Sequence, residues 1–175
     1  MVWRGSPRGK DRFFACLIYL VPLIEVIPFG VYLFSLFPPL IWLFIPFLPL
    51  LPIYHLNIGG IAFIQWGIFF WLFLGVARNE RLIHFLRYNA MQGLLLAILA
   101  ALCSAFLALF GMSQTIFLEG WAASTAGSNS LLLDATTTLI FLFVAGSSLY
   151  SIFQCIRGLY ANIPVVSDAA YSQVR

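Results

Sequence analysis

Glu25 is the first residue that invites a chemical reading, because it is the one charge inside the apolar run 13–37. An ionised carboxylate at the depth of a bilayer interior is costly, so it must face protein, water or a partner, or carry a proton. Two readings follow: a carboxylate lining a polar path, or a hydrogen-bonded packing group where Pro22 and Pro28 free backbone carbonyls. The second feature is the cluster His84, Arg87, Tyr88, Asn89 and Gln92, in which His84, Tyr88 and Gln92 follow at i, i+4 and i+8 and share one helical line. Such a line entering a membrane helix serves either interhelical hydrogen bonds or a hydrated vestibule. With Glu25 it forms a candidate polar path or interhelical network.

Other reactive residue types are poorly placed. Cys16, Cys103 and Cys155 are odd in number, far apart and set among apolar residues, which fits inert thiols better than a disulfide framework. His55 and His84 are the two histidines, and neither has a Cys or carboxylate at ligand spacing, so no metal site is expected. Gly146, Ser147 and Ser148 with His84 superficially suggest an intramembrane serine protease, yet no second motif supports it and small serine-rich faces are common packing elements. Phosphate-binding glycine loops, paired catalytic aspartates and cofactor-attachment motifs are absent from the sequence. The expectation is a protein without catalysis or cofactor.

Composition sets the elements that must hold these groups. Of 175 residues, 62% are hydrophobic and 9% charged, and the mean hydropathy is +0.99. Soluble domains are about 25% charged, so the chain belongs in a membrane. A net charge of +3, carried in short groups, is too small to suggest nucleic-acid binding. A hydrocarbon core of about 30 Å needs roughly 20 apolar residues, and four stretches of that order occur, at about 13–37, 58–77, 88–112 and 135–156. Between the first two lies 38–57, apolar but carrying Pro38, Pro39, Pro46, Pro49 and Pro52. At about 3 kcal/mol per interior proline a straight fifth span is disfavoured, and a short interfacial or re-entrant segment is expected. The fold class is thus an all-α membrane protein: one domain, four transmembrane helices, and a C-terminal tail at 157–175.

With four crossings all nine cations fall on one side: Arg4, Arg8, Lys10 and Arg12, then Arg78, Arg81 and Arg87, then Arg157 and Arg175. The positive-inside rule places both termini on the cytoplasmic or equivalent side. The basic lead before the first apolar run has no small-x-small cleavage site after it and reads as a retained first span; the short lead, containing Asp11, does not resemble an organellar transit peptide. Span three carries a small-residue stripe, Ala90, Gly93, Ala97, Ala100, Ser104, Ala108 and Gly111, and span four a similar face in Thr138, Ala145, Ser148, Ser151, Cys155 and Gly158. Such seams let helices approach closely, either within the bundle, where the two pack together, or at a subunit interface.

Three separated motifs carry a family resemblance over nearly the whole chain. Ala77-Arg78-Asn79-Glu80 followed by His84-Phe85-Leu86-Arg87-Tyr88-Asn89-Ala90-Met91-Gln92 resembles the signature of the twenty-kilodalton Tic subunit family, inner-envelope components of the chloroplast protein-import translocon. Trp3-Arg4-Gly5-Ser6 with Lys10-Asp11-Arg12, and Arg157-Gly158-Leu159-Tyr160-Ala161-Asn162-Ile163-Pro164 followed by Val166-Ser167-Asp168-Ala169-Ala170-Tyr171, resemble its cyanobacterial branch. The chain departs from the commoner pattern at Tyr88 and Gly93 and lacks the acid often found after Met91-Gln92. The resemblance implies four membrane helices in a cyanobacterial membrane or plastid inner envelope, where the side that the cations assign to both termini is cytoplasmic or stromal. It also implies a non-catalytic role in protein translocation.

Helices about 8 to 10 Å apart leave a centre that side chains fill, so one four-helix bundle cannot pass a polypeptide. A channel role therefore requires other translocon subunits or self-association, with this chain as part of the wall and a translocating polypeptide as a further partner. The alternatives are a small-solute or ion channel or transporter subunit, and a passive assembly scaffold.

Overall fold

In the computed structural model of the protein the described residues are 7–59, 62–109 and 131–174. Every element among them is helical. The chain opens with α1 (Gly9–Ile18), α2 (Leu20–Val26), a 3₁₀ turn (Ile27–Gly30) and α3 (Val31–Leu36), which together form one 28-residue apolar helical stretch, Gly9–Leu36. Pro22 and Pro28 account for the joints: neither has an N–H, so the bonds back to Ile18 and Ile24 are missing and the α-helix is interrupted after Ile18 and after Val26.

The proline-rich segment forms two further 3₁₀ helices, Pro38–Leu43 and Ile45–Leu50, and the short α4 (Leu51–Tyr54). With so many missing donors the chain closes three-residue turns instead, as in Phe44 N–H to Ile41 O at 2.8 Å and Phe47 N–H to Phe44 O at 2.9 Å. Phe44 anchors it to the bundle. Its ring meets Phe34 and Phe141 at centroid distances of 5.5 and 5.6 Å, and those two meet edge-on at 5.3 Å. All three rings are buried.

The 8-residue α5 (Phe63–Phe70) continues as a 7-residue π-helix, Trp71–Ala77. α6 (His84–Leu109), α7 (Leu131–Arg157) and α8 (Val166–Gln173) complete the fold.

Three stretches, Gly9–Leu36, His84–Leu109 and Leu131–Arg157, are long and apolar enough to cross a membrane. They correspond to the expected spans one, three and four, starting a turn earlier; residues 110–112 lie outside the described residues. The expected second span, 58–77, is shorter than read from the sequence. A turn at Gly59, whose φ of +63° suits glycine, takes its first residues out of the helix. What remains, Phe63–Ala77, reaches about 22 Å at 1.5 Å per residue, short of a bilayer core of about 30 Å.

The first stretch is the hub, with α1 and α2 packed against both α6 and α7. Gly93 permits the contact with α6, since a Cβ there would stand 2.8 Å from Ile18 Cγ2. The stripe on α6 divides along its length. Ala90, Gly93 and Ala100 are buried, Ala97 and Ser104 half-buried and Ala108 exposed, while Gly111 falls outside the described residues. The α7 face with buried Ala145, Ser148, Ser151 and Cys155, and half-buried Thr138 and Gly158, turns mainly to α1 and α2 and less to α6.

These packing differences predict different tolerances one turn apart. Ala100→Leu should overpack a filled site and lower stability by about 1–3 kcal/mol. Ala97→Leu, beside a cavity of about 330 Å³, should cost less than about 1 kcal/mol. Unfolding of both variants in the same micelle checks the contrast; equal losses would contradict it.

Candidate functional site

The polar line on α6 is enclosed by protein at one end of the bundle. Asn89 and Gln92 are both 0% exposed, so in an apolar surrounding each amide must find protein partners. Tyr19 of α1 supplies the donor: its hydroxyl lies 2.9 Å from Asn89 Oδ1 and 2.8 Å from Gln92 Oε1 and shares its proton between them. Cys155 of α7 donates to Asn89 Oδ1 at 3.2 Å, and Asn89 Nδ2 donates to Phe85 O at 2.7 Å.

The C-terminal tail completes the set. Gln92 Nε2 donates to Ser167 Oγ at 2.9 Å and to Ala161 O at 3.4 Å, and Tyr88 donates to Ala161 O at 2.8 Å. Ser167 Oγ accepts from Ile163 N–H at 2.6 Å. His84 meets the Tyr160 hydroxyl through Nδ1 at 3.3 Å and Val174 O through Nε2 at 3.2 Å. Arg87 points elsewhere: its Nε donates to Ala77 O at 3.2 Å, placing a cation on the C-terminal carbonyls of the Trp71–Ala77 helix.

The tail reaches this network through a tight reversal. α7 ends at Arg157, and Gly158, φ +74°, reverses the chain, with Leu159 N–H bonded to Gln154 O and Gly158 N–H to Cys155 O, the paired bonds of a Schellman turn. Arg12 Nη1 donates to Ile156 O at 3.5 Å over that turn, so the N-terminal end of α1 and the C-terminal end of α7 lie together. Val165 holds φ +68°, a strained value for a β-branched residue, just before α8 docks Ala170 and Val174 into the core.

Glu25 belongs to a second site. It is 7% exposed, and Gln65 Nε2 of α5 donates to both carboxylate oxygens, at 3.0 and 2.9 Å. The Tyr54 hydroxyl of α4 is its other hydrogen-bond partner. Two cavities adjoin Glu25 and Gln65. One of about 670 Å³ is lined by Glu25, Gln65, His55, Asn57, Ser104 and apolar residues including Pro49, Pro52 and Ala101. The other, about 330 Å³, is lined by Glu25, Gln65, Tyr54 and Trp66, together with apolar residues including Ala97 and Ala101. Glu25, Gln65 and Ala101 border both.

The sequence-predicted residues thus fall into two sites. Tyr19, Ser167 and Gln65 escaped notice, although Gln65 is the one amide in the run 58–77 and Tyr19 carries a hydroxyl inside span one; a polar group in an apolar run is the signal that marks each. Ser148 Oγ donates to Val144 O of its own helix at 2.7 Å, while His84 is engaged by Tyr160 and Val174. No nucleophile and base pair arises from these two.

A family model described as chloroplast import apparatus Tic20-like matches residues 3–170. The chain belongs to the Tic20 family. A Tic20 family protein of Synechocystis is 39% identical over 175 residues, covering 100% of this chain and 99% of its own. Protein TIC 20-II, chloroplastic, of Arabidopsis thaliana is 27% identical over 95% of this chain and 73% of its own. The Tic20 family protein Ycf60 of Porphyra purpurea is 28% identical over 97% and 78%.

In this Tic20-family chain the shared proton of Tyr19 predicts energetic coupling. Tyr19→Phe should cost about 1–3 kcal/mol by removing the donor of Gln92 Oε1 and leaving Asn89 Oδ1 to Cys155 alone. Gln92→Leu should cost a comparable amount, and the double variant should fall short of the sum by at least about 0.5 kcal/mol. Strict additivity in equilibrium unfolding would show that the hydroxyl does not link the helices.

Proposed function

We propose that the protein is a non-catalytic, multi-pass membrane component of a protein-translocation assembly in a cyanobacterial membrane or plastid inner envelope. The observation that carries this reading is the family match across residues 3–170, whose description names the chloroplast import apparatus. Relatives named as chloroplastic TIC 20 proteins extend over nearly all of this chain.

In this reading Phe63–Ala77 is a fourth crossing, shorter than the other spans and matched by local thinning of the bilayer. Residues 38–57 form a re-entrant segment, supported by burial of Phe44, Leu51 and Tyr54 against the bundle and by the shared cavity beside Glu25. The N-terminal end of α1, the turn before α6 and the docked tail gather at one basic end, which faces the cytoplasm or stroma. The interior near Tyr19 and Gln92 is filled by side chains, so the path for a polypeptide runs along a wall built with other subunits or further copies of this chain.

A second reading, a small-solute or ion channel or transporter subunit, draws support from Glu25 bordering two cavities. The distinguishing experiment arrests a precursor in transit and isolates the native complex. The translocation reading expects the precursor to cross-link to this subunit; solute flux through the purified protein without such cross-links would favour the second reading. For topology, single cysteines at Lys10, Glu80 and Ser172 in a background without native thiols should label from one side, and cysteines within 120–129 from the other. Labelling of positions 10 and 172 from opposite sides would overturn the four-crossing arrangement.

A further inference from the structure

The larger cavity beside Glu25 has a chemistry that the translocation reading does not use. Its volume, about 670 Å³, lies within the range of about 300–1,000 Å³ typical of small-ligand sites. Most of its wall is apolar: Pro28, Phe29, Leu48, Pro49, Leu51, Pro52 and the small face of α6. Exposed Pro49, Pro52, Ala105 and Ala108 border its mouth.

The polar groups of the wall are weighted towards acceptance. Glu25 offers two carboxylate oxygens, with about four lone-pair sites, that are met by a single nitrogen of Gln65 and by the Tyr54 hydroxyl, so acceptor capacity is left over. His55 Nε2 is buried without a hydrogen-bond partner among the described residues, and in the Nδ1–H tautomer it is an acceptor. Ser104 and Asn57 each add an oxygen acceptor together with donors of their own. No Lys or Arg stands among the described residues lining either cavity. A carboxylate away from water without a cation carries a desolvation cost that the hydrogen bonds from Gln65 and Tyr54 offset only in part, and an unpartnered imidazole nitrogen adds to it. An anionic ligand would worsen both. A neutral one would relieve only the second.

We infer that this cavity is a binding site for an ammonium group carried on an apolar body, the cation set between Glu25 and His55 Nε2 and the body lying along Ala101, Ala105 and Ala108. An ammonium has three N–H donors, which suits the remaining carboxylate valences of Glu25 and the lone pair of His55 Nε2. The chemistry has two natural sources, a free amphiphilic amine or a lysine side chain of a membrane-entering peptide. The inference rests on the cavity and not on the translocation reading, so either can fail without the other.

The test uses the full chain in phosphatidylcholine nanodiscs and a photoreactive dodecylamine bearing a diazirine at the end of its chain. Cross-linked residues are mapped by peptide mass spectrometry. Labelling should concentrate on 48–57 and 101–108. Dodecylammonium should compete at least tenfold more effectively than dodecanol, and Glu25→Gln should erase that preference. Ala105→Trp, at an exposed position on the mouth, should remove cavity labelling with the carboxylate in place, which keeps the test decisive if the Glu25 variant fails to fold.

A hydrophobic peptide with one lysine and its norleucine counterpart are then added as competitors. Selective competition by the lysine peptide assigns the site to peptide side chains, and competition by dodecylammonium alone assigns it to free amines. Equal competition by dodecylammonium and dodecanol, or labelling spread along the whole lipid-facing surface, would overturn the inference.

Discussion

Hydrocarbon offers no water, so each polar group drawn into the bundle must be matched by another part of the chain. The Tyr19 hydroxyl, poised between Asn89 Oδ1 and Gln92 Oε1, is where that requirement organises the most structure. Through it the first helical stretch is tied to α6, through Cys155 α7 joins, and through Ser167 and Ala161 the tail closes over the group. Apolar packing alone gives membrane helices little preference among partners, because lipid tails compete on nearly equal terms. A buried set of directional bonds supplies that preference.

The same requirement explains the contrast between the two ends. At the basic end the stripe on α6 is closed by α1, with Gly93 against Ile18. Further along, Ala97, Ala101, Ser104 and Ala108 border cavities, because the helix that would cover them begins only near Gln65 and the segment before it is bent by prolines. The polar group left at that depth, Glu25, is satisfied in part, by the Gln65 amide nitrogen and the Tyr54 hydroxyl, and borders both cavities. One end of the molecule is therefore built for a fixed arrangement, and the other leaves room and unspent hydrogen-bonding capacity. That division sets directional bonding between helices at the Tyr19 end and unfilled space at the Glu25 end.

Much of this was legible in the sequence, for identifiable reasons. Length and apolarity located three of the long helices, since a run of that composition has few other stable conformations. The i, i+4, i+8 spacing of His84, Tyr88 and Gln92 located the polar line, because helical periodicity is a local property. What the line bonds to was not legible: Tyr19 and Ser167 lie more than 70 residues away in either direction, and only the tertiary fold brings them in. Arg87 was grouped with the line by proximity in sequence, yet its side chain turns to Ala77. The second helix was overestimated because its first residues are apolar and hydropathy does not register the turn at Gly59. The tail at 157–175 gave no sign of docking, its buried Ala170 and Val174 being too small a signal in a polar stretch.

Asn89 and Gln92 are enclosed and held by protein, with the tail as the closing element. Side-chain amide hydrogen exchange of Asn89 and Gln92, followed by NMR on the full chain in nanodiscs, tests it most directly. Strong protection of both amides is expected, with selective loss of Gln92 protection in Ser167→Ala while the helices stay intact. Rapid exchange of both amides in the unaltered protein would contradict it, and would mean that the polar line faces a hydrated path.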